Sequence, residues 1–214
     1  STEHIKQKQE AIQELTPQLD WRQQFTAICK STQEKPQAFQ SLLAWSKNKL
    51  DKPSSFLVII AYILPVLLGL SILGNIVSSN PIFYQLIKLF IFTNLLVAFS
   101  QLRFIKKELV VADGIQSTLK NYSLLITKIE NHTFTSKKLI ELQAQLRAKD
   151  ELASKAIKDL SNIYGQLEGI NNPFGALFFN AAYLYHIHAL NKLKKWKAKY
   201  AQQIQNWIPI IGEF

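Results

Sequence analysis

Five lysines stand close together near the end of this chain: Lys192, Lys194, Lys195, Lys197 and Lys199, in the run NKLKKWKAKY. Ammonium groups at that density suit phosphate oxygens, whether of a nucleic-acid backbone or of lipid headgroups. On a helix, Lys192, Lys195 and Lys199 share one face while Leu193, Trp196 and Tyr200 share another. The same pattern therefore also describes the solvated side of an amphipathic helix. Just upstream, His186 and His188 are two residues apart, which on a helix points them about 200° from each other. They cannot hold a metal as a simple pair and read as polar groups among aromatics. Cys29 is the only cysteine, so no internal disulfide forms, and it reads as a core thiol in a reducing compartment. Gly69 and Gly74 have phosphate-loop spacing, but Asn75-Ile76 stands where Lys-Ser/Thr is required and the setting is apolar. No Ser/His/Asp set, zinc pattern, helix-turn-helix or RNA-recognition signature accompanies them. Catalytic, cofactor-binding and metal residues are expected to be absent from these helices.

The elements that must position the lysines and histidines are organised around Phe56–Phe99. Only Lys88 carries a charge between Lys52 and Arg103. Phe56–Val77 is uncharged and spans about 33 Å as a helix, enough for a hydrocarbon core of ~30 Å. Pro65 should kink it, which membrane helices tolerate. The second run, Ile82–Phe99, follows a Ser78-Ser79-Asn80-Pro81 turn, and Lys88 is close enough to that turn to snorkel. Lys47, Lys49 and Lys52 precede the hairpin, and Arg103, Lys106 and Lys107 follow it. By the positive-inside rule both flanks are cytoplasmic. The competing expectation is a soluble hairpin buried in a thick core, for which the other helices are too few and too polar.

Outside the hairpin the chain predicts amphipathic helices. Residues 3–15 place Ile5, Ile12 and Leu15 on one side. Leu19, Trp21, Phe25 and Ile28 mark the next helix, and Phe39, Leu42, Leu43 and Trp45 mark one over 37–50. After Asp113-Gly114, Leu119, Tyr122, Ile126 and Ile129 recur at helical spacing, and 131–135 breaks the pattern. Ser136 is a candidate N-cap for a helix carrying Leu139, Leu142 and Leu146. Ala153, Ile157, Leu160 and Tyr164 define another, and Gly165 to Gly175 reads as a loop. With no Gly or Pro from Ala176 to Ile208, one helix of ~50 Å is expected there, with Pro209 kinking or stopping it. The net charge is +10, with the largest share at the C-terminal end, where 171–214 carry 5 basic groups and 1 acidic, which suits phosphates or an anionic lipid surface. The opening STEHIKQKQE has no apolar h-region and reads as no signal peptide. With no initiator Met and an abrupt end at Gly212-Glu213-Phe214, the chain reads as a piece of a longer protein.

Three blocks carry a family resemblance. IKQKQEAIQEL resembles the start of the helical core domain of MutS-type DNA mismatch repair proteins, with Lys8 where Arg is usual. YSLLITKIENHTFTSKKLIELQAQL resembles that domain's later helices. FFNAAYLYHIHALNKLKKWKAKYAQQIQNWIPIIGEF is similar to the long lever helix of a MutS-like subgroup, including Asn180, Trp196-Lys197, Trp207 and Gly212-Glu213-Phe214. The likeness covers most of residues 5–50 and 115–214. It implies a core/lever domain that transmits between a C-terminal ATPase and DNA-contacting parts, with ATP and Mg held in an ATPase domain beyond Phe214. It also implies homodimerisation through that domain. Nothing resembles the mismatch-reading domain with its Phe-x-Glu wedge, and the apolar hairpin stands where a DNA-clasping clamp is expected.

The expectation is an all-α, elongated helical core/lever domain with an inserted two-helix apolar, transmembrane hairpin. Residues 1–55 form the first part of the core, 56–102 the insertion, and 103–214 the second part with a lever helix over 176–208. The expected parent is a MutS-like ATPase on the cytoplasmic side of the cytoplasmic membrane, with DNA and membrane lipids as partners. This part of it is not itself an enzyme. The rival is a membrane-anchored helical scaffold with no nucleic-acid role, its lysines facing lipid headgroups.

Overall fold

The computed structural model of the chain describes residues 2–32, 36–47, 55–78, 80–110, 115–148, 151–169 and 172–214. Among them the fold is all-α, 89% helical with 11 helices. In chain order these are α1 (Thr2–Leu15), α2 (Leu19–Thr32), α3 (Pro36–Lys47), α4 (Ser55–Ser78), α5 (Pro81–Ser100), α6 (Leu102–Val110), α7 (Ile115–Glu130), α8 (Lys137–Gln145), α9 (Ala153–Glu168), α10 (Pro173–Tyr183) and α11 (Tyr185–Ile211). Two short antiparallel strands, β1 (Arg147–Ala148) and β2 (Glu151–Leu152), join α8 to α9.

Contacts divide the chain into two compact units: Ser1–Asn48, Ala112–Asn162 and Trp196–Phe214 form one, and Lys49–Val111 and Ile163–Lys195 form the other. The first unit is a core of helix stripes. Leu119, Ile126 and Ile129 on α7, Leu139 and Leu142 on α8, and Ala153, Ile157 and Leu160 on α9 are all buried, each Leu or Ile contributing about 1.5–3 kcal/mol. The stripe of α11 continues into this unit with Trp196, Tyr200, Ile204, Trp207 and Ile211, all buried. α2 packs along α7, where Lys128 Nζ donates to Gln24 Oε1 at 2.6 Å and Asn121 Nδ2 to the Ser31 carbonyl at 3.3 Å.

α1 departs from expectation. Ile5 and Ile12 are exposed, and the helix buries Ala11 instead. Its contact with α8 is polar: the Glu14 carboxylate accepts from the Thr135 and Ser136 N–H groups, each at 2.7 Å. Ser136 is the N-cap residue, but its hydroxyl makes no cap bond. An acidic group at a helix N-terminus complements the dipole, so Glu14 holds the entry to α8 through the N–H groups of the N-cap residue and the one before it, which is not the bond expected of the Ser136 hydroxyl. Leu19 is likewise exposed. Cys29 is half-buried rather than a core thiol, and burial pushes its pKa up.

In the second unit α4 and α5 pack on each other. Asn80 caps α5, its Oδ1 accepting from the Ile82 N–H at 3.0 Å, and Pro81 occupies the first turn, where a missing N–H costs nothing. Gly69 and Gly74 lie inside α4. A Cβ at Gly74 would collide with the Phe83 ring, so glycine there lets α4 and α5 approach closely. α10 packs on α5 and α4. Asp113-Gly114 and Ser79 lie outside the described residues.

Three predicted boundaries are corrected. α9 runs through Gly165 to Glu168, because Tyr164 and Leu167 are buried and hold its last turns. α11 continues through Pro209 to Ile211, since a proline so near the end removes a single helix bond. The continuous helix over 176–208 does not form. It is two helices, α10 and α11, separated at Leu184, which adopts left-handed dihedrals (φ 51°, ψ 41°) and is fully buried.

Candidate functional site

The break at Leu184 gathers the polar groups of the second unit. A leucine in the left-handed region is disfavoured by roughly 1–2 kcal/mol, so surrounding contacts must impose it. The Leu184 N–H donates to the Asn180 carbonyl at 3.1 Å, closing α10. The Asn180 side chain opens α11, its Oδ1 accepting from the His186 N–H at 3.1 Å. Asn180 Nδ2 donates to the Ala176 carbonyl at 2.7 Å and to His186 Nδ1. An amide nitrogen only donates, so His186 Nδ1 accepts and its proton sits on Nε2. Burial holds the His186 imidazole below its ordinary pKa.

Two carbonyls of this unit find side-chain donors from distant helices. Pro65 has no N–H for the Ala61 carbonyl one turn earlier. His188 Nε2 lies 3.1 Å from that oxygen and donates to it. His188 is wedged between the rings of Tyr62 (4.7 Å) and Tyr183 (4.6 Å). Burial lowers its pKa, the Ala61 carbonyl partly opposes this, and the charge of Lys192 lowers it further. The Ala181 carbonyl, near the end of α10, accepts from Asn94 Nδ2 at 2.7 Å, with Asn94 fully buried in α5. Ala61, Ala98, Leu184 and Ile187 form a small apolar cluster in the same unit.

This constellation satisfies backbone groups of α4, α10 and α11. His186 and His188 are engaged with different partners and do not converge. Among the described residues no group of His, Cys, Asp and Glu is placed to hold a metal ion.

The five lysines do not form one row. In the second unit Lys192 and Lys195 are exposed and Lys194 is half-buried, with Lys192 Nζ donating to Gln166 Oε1 at 3.4 Å. In the first unit Lys197 is buried, its ammonium 4.1 Å from the centre of the Trp45 ring. Lys199 pairs with Glu151 at 2.8 Å. Lys197 is therefore withdrawn from solvent by the same aromatic packing that seats Trp196, whose Nε1 donates to the Ala156 carbonyl at 2.7 Å.

Of the basic residues expected to flank a membrane, Lys47, Arg103, Lys106 and Lys107 are exposed, and Lys49 and Lys52 lie outside the described residues. Lys88 Nζ lies over the Tyr84 ring, one turn nearer the Asn80-Pro81 end, at 4.5 Å. α4 and α5 are long and apolar enough to cross a membrane by length and composition, yet only 17% and 11% of their apolar windows are buried.

Residue spacing alone did not single out Asn94 and Leu184. Asn94 was visible as an amide inside an apolar run, and the proline rule points to Ala61 as an orphaned acceptor. Leu184 left no local signal, since nothing in its residue type favours a break. No family model matches the chain, and no curated protein or solved structure matches it.

Proposed function

We propose that these helices are the core and lever of a MutS-like DNA mismatch repair-type ATPase, held on the cytoplasmic side of a membrane by α4 and α5. The observation that carries this reading is the composition of the first unit, which combines residues before and after the hairpin. That is the arrangement of a helical domain interrupted by the hairpin and again by 163–195, and of the three blocks resembling MutS-type proteins the first two and the end of the third, from Trp196, lie in it. The anchor is supported by two charge-poor helices of about 36 and 30 Å whose apolar side chains face outward. In water so large an apolar surface would be an association liability.

α11 is shared, with Tyr185–Lys195 in the second unit and Trp196–Ile211 in the first. In this proposal it, and not the whole of 176–208, is the lever. ATP and Mg belong to a separate ATPase domain, which would also carry the dimer contact, and no nucleotide chemistry is assigned to these helices. The test uses the full-length protein with Lys194→Gly and Lys195→Pro together. ATP turnover should then lose its response to DNA, and unchanged coupling would sink the lever. Fractionation tests the anchor separately: the protein should remain with membranes until detergent is added, and a soluble protein overturns it.

One observation favours the alternative of a membrane-anchored scaffold without a nucleic-acid role. Lys197 and Lys199 are occupied by Trp45 and Glu151, which thins the row that was expected to meet phosphates. A G-x-x-x-x-G-K-[ST] loop in the remainder of the gene favours the ATPase, and its absence the scaffold.

A further inference from the structure

We infer that α10 is a third lipid-embedded element, a short helix lying in the bilayer beside the hairpin with its phenylalanine face toward acyl chains. This rests on the membrane reading of α4 and α5, which end at Ser100, and extends it to a segment that starts at Pro173 and was expected to be a loop and the start of a soluble lever.

The surface comes first. Phe174, Leu177, Phe178, Phe179 and Tyr183 are all exposed, Phe174 at 85%. From Gly169 to Asn191 there is no Lys, Arg, Asp or Glu. An apolar helix of 11 residues is about 16 Å long and too short to span, a length suited to a buried core helix or to a re-entrant or interfacial segment. The exposure of its aromatic face excludes the core helix within this chain.

The second observation identifies what covers that face. α10 packs on α5, so its outward side continues the apolar surface of the hairpin. A groove of about 390 Å³ lies between them, lined by Leu95, Phe99, Ala176 and Leu177 among others, with Lys106 as its single charge. An occupant that covers both helices must be apolar and extended, as a bilayer is.

The third is the state of the backbone. At membrane depth a helix end is tolerated only where protein supplies its hydrogen bonds. The Ala181 carbonyl is held by Asn94 of α5, the Asn180 carbonyl by Leu184, and the His186 N–H by Asn180 Oδ1. Leu184 itself is sealed from the surface. A break exposed to water would need none of this.

The experiment places a fluorescent NBD label on single cysteines in a Cys29→Ser background, in the full-length protein reconstituted into phosphatidylcholine/phosphatidylglycerol vesicles. Val66→Cys reports on α4, Phe178→Cys on α10, and Glu10→Cys on the aqueous phase. NBD emission at positions 66 and 178 should be blue-shifted by the apolar surroundings and quenched by doxyl-labelled lipids, with position 10 showing neither. Quenching at 66 without quenching at 178 overturns the inference while leaving the hairpin in the membrane. Quenching at neither site removes the hairpin and α10 together. Phe174→Cys repeats the measurement one turn away, so a local perturbation at 178 does not decide the outcome.

Discussion

His188 donates its Nε2 proton to the Ala61 carbonyl at 3.1 Å, supplying the hydrogen bond that Pro65 cannot. The two residues are 127 positions apart, and the bond ties the first turn of α11 to the second turn of α4. A proline in an apolar helix leaves an acceptor that no lipid can satisfy. Here that acceptor becomes the docking point for another helix.

This relationship predicts a coupling. His188→Ala should lower stability by about 1–3 kcal/mol, the cost of a buried carbonyl left without a donor. Pro65→Ala restores an N–H to Ala61, so the same change in that background should cost less, by at least ~0.5 kcal/mol. Unfolding of the four proteins of the cycle in detergent micelles measures it. Strictly additive losses would show that the imidazole does not replace the missing N–H.

Gly74 faces the Phe83 ring closely enough that any side chain intrudes. Gly74→Val should destabilise the hairpin by about 1–3 kcal/mol through overpacking. Gly69 has open space around it, and Gly69→Ala should be neutral or slightly stabilising because alanine favours the helix. Equal effects at the two positions would mean that α4 and α5 do not approach at Gly74.

The lysines separate by role. If phosphates are bound, Lys195→Ala should reduce the dependence of log K on log salt by about 1, for duplex DNA or for anionic vesicles according to the ligand. Lys197→Ala should leave that slope unchanged and reduce stability by about 0.5–2 kcal/mol through loss of its contact with Trp45. A slope that moves for Lys197 and not for Lys195 contradicts this assignment.

Acid should loosen α1 from α8. Burial alone would raise the pKa of Glu14, but the bonds from Thr135 and Ser136 together outweigh it and leave it lowered. With the folded pKa below the unfolded one, the contribution is fully present above the ordinary carboxylate value near 4.5. It is lost as pH falls through the folded value. Glu14→Gln should cost about 1 kcal/mol at neutral pH, a modest figure because the carboxylate is partly solvated and screened, and should flatten the acid limb. Amide hydrogen exchange at Thr135 and Ser136 reads this directly, and exchange insensitive to the substitution argues against the cap.

The sequence by itself determined the helices and most of their buried faces. Leu119, Ile126 and Ile129, or Trp196, Tyr200, Ile204 and Trp207, repeat at helical spacing, and each repeat lies buried. The charge-poor run over 56–99 likewise announced two long apolar helices, because absence of charge needs no partner to be read. Spacing misled where a helix docks through a polar group, as α1 does through Glu14 with Ile5 and Ile12 left outside. Only the tertiary structure decided the break at Leu184, the use of Asn94 and His188, and the burial of Lys197. For Asn94 and His188 the reason is the same. A backbone group orphaned by a proline or a helix end is visible locally, but its donor is a side chain brought from dozens of residues away by packing. At Leu184 the local bonds through Asn180 close the break, and the burial of the leucine itself is what packing supplies.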